Sequence, residues 1–236
     1  MAKKKGKEIT IALAGNPNSG KTTVFNNLTG THQHVGNWPG VTVEKKEGVC
    51  RYRDYQIKVV DLPGVYSLTA YSIDELIARD FIVEERPDVV VDIIDASNLE
   101  RNLYLTVQLL EMGARLIVAL NMMDEADERG YSIDVEHLSY HLGAPVVPMV
   151  ANRNRGTEEL LEEIVNMAET ESTKRTKRMK CLKINYGREV EEEITKLERL
   201  ISQTAFSRKY SPRWLAVKLL EGDEEIIKRF KEVTVG

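Results

Sequence analysis

Five short apolar runs, Ile9–Ala14, Ile57–Asp61, Val89–Asp95, Arg115–Asn121 and Pro145–Val150, are rich in Val, Ile and Leu and lack period-two alternation. Strands of that kind are covered on both faces, which happens in a mostly parallel sheet flanked by helices. Helical patterns fall between and after them, at Lys21–Leu28, Ile73–Glu85, Leu99–Met112, Ile133–Leu142 and Glu158–Thr170. Ser132 and Thr157 are placed to act as N-caps, and Gly113 and Gly143 follow helix ends. Val41–Arg53 followed by Tyr55–Val60 reads as a hairpin around Asp54, which raises the expected sheet to six strands. The alternation predicts an α/β, doubly wound domain over residues 1–170.

The pattern changes after Thr170. Lys174–Lys180 reads as a basic linker, and helical periods follow without a convincing strand. Val190, Ile194, Leu197 and Ile201 mark one apolar face. Ser211 precedes Pro212 as an N-cap before a helix carrying Trp214, Val217 and Leu220. Asp223 can cap a last helix carrying Ile226, Ile227, Phe230 and Val233. Residues 171–236 are therefore expected to form a small all-helical domain. Charge divides at the same place: residues 1–170 hold 17 basic and 26 acidic side chains (−9), and residues 171–236 hold 16 and 11 (+5).

Composition excludes several classes. Charged residues at 30% beside 42% hydrophobic ones fit neither a disordered nor a collagen-like chain. The two cysteines, Cys50 and Cys181, are too few for a disulfide framework or a zinc cluster, which suggests a reduced, intracellular protein. No run approaches the roughly 18 to 20 apolar residues that a bilayer requires, so the chain as given is expected to be soluble.

Gly15-Asn16-Pro17-Asn18-Ser19-Gly20-Lys21-Thr22 fits the phosphate-binding pattern G-x-x-x-x-G-K-[ST], between a predicted strand and a predicted helix. Its glycines let backbone N–H groups wrap a β-phosphate at the positive end of the helix. Lys21 reaches the β- and γ-oxygens, and the Thr22 hydroxyl, followed by Thr23, is suited to magnesium. Asp61-Leu62-Pro63-Gly64 ends a later strand, where the carboxylate can hold magnesium through a water and the Gly64 N–H can meet a γ-phosphate. Asn121-Met122-Met123-Asp124 ends another. The Asp124 carboxylate can accept two N–H donors from guanine that adenine does not offer, which favours GTP over ATP. In GTPases the usual form is N-K-x-D; Met122 stands at the lysine position, and its unbranched side chain can cover the face of the base. Val150-Ala151-Asn152, after the last strand, is where a backbone N–H would meet the base.

The order and spacing of these motifs resemble the small GTPases. His34–Glu44 (HVGNWPGVTVE), with GNPNSGKTT before it and DLPGVYSL and NMMD after it, narrows the resemblance to the cytoplasmic G domain of FeoB, the bacterial and archaeal ferrous iron transporter. The likeness is close over about residues 8–165. The helical module is then similar to the regulatory, GDI-like domain that joins this G domain to its membrane region. The resemblance implies a P-loop GTPase that uses magnesium, held by Thr22, Thr42 and Asp61. Thr42, with Gly40 and Val41, lies on the first switch loop, which closes on the γ-phosphate. Asn18 takes the position that holds a potassium ion in place of an arginine finger, so the catalytic set is Lys21, Thr42 and Asn18. Val65 departs from Ras-like enzymes, where a glutamine orients the attacking water, so slow hydrolysis stimulated by potassium is expected. Further implications are coupling of nucleotide state to ferrous iron uptake at the cytoplasmic face of the cell membrane, the transporter's membrane domain as partner, and a homo-oligomer as a compatible assembly. No nucleic acid is expected, the basic module suiting an anionic membrane surface better than RNA. The competing function is a free-standing GTPase switch in ribosome or RNA metabolism, which would bind RNA with a steep salt dependence.

Other residues have plainer readings. His32 and His34, flanking the first switch, are expected to be solvated rather than iron ligands. Glu189, Glu192 and Glu193 are expected to form a solvated helix face. Cys50 is read as a small buried apolar residue on a strand. Trp38 either packs in one nucleotide state and is exposed in the other, or anchors a partner.

Overall fold

The computed structural model describes residues 7–69, 71–172 and 184–234. The Lys174–Lys180 linker, Cys181 and the side chain of Val233 lie outside the described residues. The chain runs β1 (Lys7–Gly15), α1 (Lys21–Thr29), β2 (Gln33–Asn37), β3 (Glu44–Tyr52), β4 (Tyr55–Asp61), α2 (Ile73–Glu84), β5 (Val89–Asp95), α3 (Leu99–Glu111) and β6 (Leu116–Asn121). It continues through α4 (Met123–Glu128), α5 (Val135–Leu142), β7 (Val146–Pro148) and α6 (Thr157–Ser172), then α7 (Arg188–Ile201), α8 (Pro212–Leu220) and α9 (Glu224–Thr234).

The strands form one sheet in the order β2-β3-β4-β1-β5-β6-β7. From β4 to β7 all neighbours are parallel, while β2 and β3 extend the sheet antiparallel at one edge. The count is thus seven strands, where six were expected. The additional one, β2, has all five residues exposed and no apolar pattern; it exists because β3 offers a free edge. The chain leaves β1 for β4 on one side and then crosses to β5 on the other. That reversal opens a crevice at the carboxyl end of β1, the usual ligand position in such sheets.

Burial explains the strand pattern. Along β1, Ile9, Ile11 and Leu13 pack on one face with Phe25 of α1 and Ile164 of α6, while Ala12 and Ala14 pack on the other with Leu105 and Leu109 of α3. Both faces are covered, so neither alternates with polar residues. Cys50 is buried in the first of these clusters with a free thiol, and burial pushes the thiol's pKa up.

Helix boundaries follow local chemistry. Ser211 caps α8, with Pro212 at its first position, and Asp223 caps α9 by accepting the Ile226 N–H at 3.0 Å. Gly143 closes α5 in the left-handed region, as expected. The start of α5 is a correction: Asp134, not Ser132, is its N-cap, because the Asp134 carboxylate takes the His137 N–H at 2.9 Å. Thr157 is the first residue of α6, and its hydroxyl donates to Asn154 Oδ1.

In the helical module, Ile194, Ile201, Trp214, Leu215 and Ile226 are buried around partly buried Leu197 and Phe230, and Val83 and Met112 of the sheet domain join the same cluster. Val190, at the open end of α7, is 42% exposed and stands outside the expected apolar face. No helix among the described residues is long and apolar enough to cross a membrane.

Candidate functional site

Residues 16–20 wrap between the end of β1 and the start of α1. A Cβ on Gly15 would lie 2.5 Å from the Ile93 carbonyl oxygen, so the loop can turn there only with glycine. Gly20 sits at φ 88°, and a side chain on it would meet the Asn121 amide. Asn18 holds φ 66° without being glycine, a strained value of the sort that surrounding structure enforces at functional loops. No side chain caps α1, so its first N–H groups and its positive end are available to an anion.

Asn16 is 4% exposed and Ser19 1%, yet both amide atoms of Asn16 and the Ser19 hydroxyl have no hydrogen-bond partner. Buried polar groups are nearly always satisfied. A polar ligand in the loop fits these orphaned atoms. At the loop's mouth the Lys21 ammonium donates to the Asp61 carboxylate, both side chains being about nine-tenths buried. That pair sets a cation for phosphate oxygens beside a hard oxygen donor suited to magnesium, with the exposed Thr22 side chain one residue on and Thr23 half-buried.

Asp61–Gly64 is laid against the phosphate loop. The Leu62 N–H donates to Leu13 O and the Val65 N–H to Gly15 O at 3.2 Å, while Gly64 packs on Pro17. The Val65 side chain is buried in the core, away from any position from which it could orient a water.

On the base side, Asn121 joins three segments. Its Nδ2 donates to Ser19 O and its Oδ1 accepts the Ala151 N–H, both at 2.9 Å. Asn27 Nδ2 holds Ala151 O at 2.8 Å. Met122 lies in the left-handed region at φ 60° and is half-buried. Asp124, half-buried at the start of α4, lies 3.5 Å from Arg153. The N–H groups of Val150 and Ala151 are engaged by Arg155 O and Asn121, and the Asn152 side chain is exposed.

The first switch stands apart. Trp38 is buried, edge-on to Phe81 at 5.5 Å and under Lys45, and closes a turn by donating to Val43 O. Gly40 and Thr42 are exposed, Val41 is half-buried, and among the described residues none of the three bonds to the phosphate loop. His32 and His34 are exposed and join no cluster of three or more metal-binding side chains among the described residues. Glu192 and Glu193 pair with Arg188 and Lys196 on the open face of α7, and Glu189 is exposed there too.

A second set of residues escaped sequence reasoning. The Glu75 carboxylate accepts from Ser67 Oγ at 2.6 Å and from the Tyr71 N–H at 2.9 Å, while its own N–H donates to Ser72 Oγ. The pattern Ser72-x-x-Glu75 is a capping-box signal that was available in the sequence. Gln108 Oε1 takes the Leu68 N–H. The loop after Gly64 is thereby fixed to α2 through Glu75 and to α3 through Gln108. One turn further, Arg79 meets Asp223 at 2.8 Å with both side chains at most 4% exposed, Asp80 meets Arg229 at 2.7 Å, and Glu84 meets Lys209 at 2.7 Å. Burial lowers the Arg229 guanidinium's pKa, but hydrogen bonds to Asp80, Glu225 and the Tyr210 hydroxyl outweigh it and leave the pKa raised.

Comparison with known proteins agrees with this assembly. Residues 9–164 match the family model for ferrous iron transport protein B, and residues 186–234 match that for the FeoB cytosolic helical domain. An Fe(2+) transport protein A/Fe(2+) transporter FeoB fusion protein of Porphyromonas gingivalis is 46% identical over 95% of the chain and 26% of its own length. The Escherichia coli K12 Fe(2+) transporter FeoB is 45% identical over 92% of the chain and 27% of its own length. The chain therefore spans about a quarter of the curated relatives it matches. The cytosolic domain of the T. maritima FeoB iron transporter superposes in its apo form with a TM-score of 0.86 at 46% identity, covering 94% of this chain and 84% of that one. Its GMPPNP form gives 0.85 at 44%, with the same coverage. With two family models matched in chain order and a phosphate loop joined through α2 to a helical module, the chain belongs to the ferrous iron transport protein B (FeoB) family and has its P-loop GTPase and cytosolic helical domains.

Proposed function

We propose that this chain binds GTP in the crevice at the end of β1, hydrolyses it slowly with help from potassium, and reports the nucleotide state through α2 to the helical module. The observation that carries the reading is the convergence of Lys21, Asp61, the uncapped α1 N-terminus and the orphaned Asn16 at one point. Asn121 and Asp124 support guanine as the base, and solved forms of the T. maritima domain with GDP and GMPPNP support a guanine nucleotide as ligand.

Thr22, Thr42 and Asp61 would hold magnesium, which when bound supplies charge neutralisation between the β- and γ-oxygens. Lys21 neutralises those oxygens, and the N–H groups of Asn18 and of Gly20, Lys21 and Thr22 at the start of α1 would orient them. Thr42, now exposed, would close over the γ-phosphate and exclude water from it. Asn18 would offer its amide oxygen to potassium. With Val65 in the core, no side chain after Gly64 is left to aim the attacking water, which supports a slow step.

The output follows from the connections of α2. Ser67 and Tyr71 are tied to Glu75, and Arg79, Asp80 and Glu84 on the same helix grip the module. A shift of the Asp61–Gly64 segment on γ-phosphate loss would move α2 and repack that junction. In a full-length relative this module would gate ferrous iron passage through the membrane domain at the cytoplasmic face.

The test is a guanine-nucleotide titration with ATP as competitor, followed by single-turnover hydrolysis in potassium or sodium. Submillimolar GTP affinity, rejection of ATP and a potassium-dependent rate are expected. Equal binding of ATP would overturn the guanine assignment, and turnover as rapid as that of a metabolic ATPase would overturn the switch reading.

A further inference from the structure

Two histidines far in sequence from the phosphate loop face each other on α5. His137 and His141 are one turn apart, both exposed, with ring centroids 4.4 Å apart and the Nε2 atoms 2.6 Å apart. Residues at i and i+4 project from the same helix face, so the spacing places both imidazoles where their rings can meet. With each Nε2 facing the other, two protons do not fit between them. Either one neutral ring donates to the other, or a cation takes the place of the proton.

We propose that His137 and His141 form a two-imidazole site for a late first-row divalent cation, of which Zn2+ is the test case. Neutral imidazole nitrogens suit Zn2+, Ni2+ and Cu2+, with bonds of about 2.0–2.1 Å to zinc, which places adjacent ligand nitrogens on the order of 3 Å apart. At a tetrahedral angle that spacing is about 3.3 Å, so the rings open by about 0.7 Å from the 2.6 Å seen between them, an adjustment that exposed side chains can make. The helix fixes the backbone of both ligands before the metal arrives, so the second bond forms at high effective concentration. Asp134 adds a negative charge one turn towards the N-terminus, its Oδ1 held by the His137 N–H at 2.9 Å. No third His, Cys, Asp or Glu completes a cluster among the described residues, so water fills the remaining positions and the site stays open. Affinity should follow the order Fe2+ below Ni2+ and Zn2+. The metal would staple one turn of α5, the helix that lies in sequence between the two base-side segments, Asn121–Asp124 and Val150–Asn152.

The experiment is calorimetric titration of the untagged 236-residue chain with Zn2+, repeated with Ni2+ and Fe2+, together with amide hydrogen exchange across α5. One zinc per chain is expected, with slower exchange in α5 when zinc is present. His137→Gln and His141→Gln should each weaken binding by at least about tenfold, since each removes the chelate. His32→Gln, His34→Gln and Cys181→Ser should leave it unchanged, which separates this pair from the other imidazoles and the second thiol. Unchanged zinc affinity in His141→Gln, or no saturable binding at one equivalent, overturns the proposal and leaves the rings hydrogen-bonded to each other. Loss of nucleotide binding has no bearing on this readout.

Discussion

Replacing Asp223 by Asn tests how the two domains are held together. The Arg79 side chain is 1% exposed and the Asp223 side chain 4%, and their 2.8 Å contact joins residues 144 positions apart. Asp223 has two roles, because its other oxygen caps α9. Asn keeps the cap, being as good an N-cap as Asp, and removes only the charge. Breaking a buried pair and leaving one ion behind costs about 3–5 kcal/mol. Asp80 lies 4.0 Å from Arg79 Nε and offsets part of that, so the lower end, about 3 kcal/mol, is the expected loss. For a chain of this length each kcal/mol moves the melting temperature by about 2–4 °C, so Asp223→Asn should melt about 6–12 °C lower in a calorimeter. Asp223→Ala should lose roughly 1 kcal/mol more, because the cap goes as well. If the cost is the stranded guanidinium, adding Arg79→Met should recover most of it, since an apolar side chain of similar reach leaves no charge under Trp214. A single variant melting within about 2 °C of the parent, or a double variant no more stable than Asp223→Asn, would refute the argument.

Other outcomes follow from the site and the core. Asn18→Gly, which removes the amide and accepts the loop's φ of 66°, should abolish the potassium stimulation of single-turnover GTP hydrolysis while GTP still binds in sodium; stimulation that survives would remove Asn18 from the cation site. Gly20→Ala should weaken nucleotide binding and cost at least about 1–3 kcal/mol in denaturant titration, because its φ of 88° and the Asn121 amide leave no room for a methyl group. Asp92 is fully buried, with Thr106 Oγ1 donating to it at 2.6 Å, and burial pushes its pKa from 3.8 to about 7. A carboxyl raised in the folded state favours the protonated form, so its contribution is complete in acid and falls away as pH rises from about 4 to about 7. Asp92→Asn should therefore match the parent near pH 4 and exceed it at pH 8 by up to about 4 kcal/mol, measured by urea unfolding at both pH values. The same difference at both would refute the assignment.

What could be read from the sequence was what consecutive residues determine. The phosphate loop is eight residues in a row, and the expected bounds of β5, Val89–Asp95, match those observed because every residue before its last, Asp95, is buried. The α5 boundary moved because Asp134, two residues after the expected cap Ser132, captured the helix N–H with its carboxylate. β2 was invisible because its five exposed residues owe their conformation to β3 rather than to any pattern of their own. The junction was invisible for a related reason. Arg79 in sequence looks like any cation on an amphipathic helix, and only Asp223 makes it a buried one.

The junction also changes the meaning of the opposed charges on either side of residue 170. Asp80 and Glu84 of the acidic domain engage Arg229 and Lys209 of the basic one. Arg86 donates to the carbonyls of Arg208 and Lys209, which closes the same seam. Part of the +5 balance therefore faces the nucleotide domain. Cations already engaged with carboxylates are poorly placed to hold phospholipid headgroups or RNA, so membrane attraction by the module would depend on basic residues outside this seam. The same pairs are screened where they are exposed, as Glu84–Lys209 is, and protected where they are buried, as Arg79–Asp223 is. High salt should then loosen the rim of the junction while leaving its centre closed, with the helical module still attached to the helix that follows the Asp61–Gly64 loop.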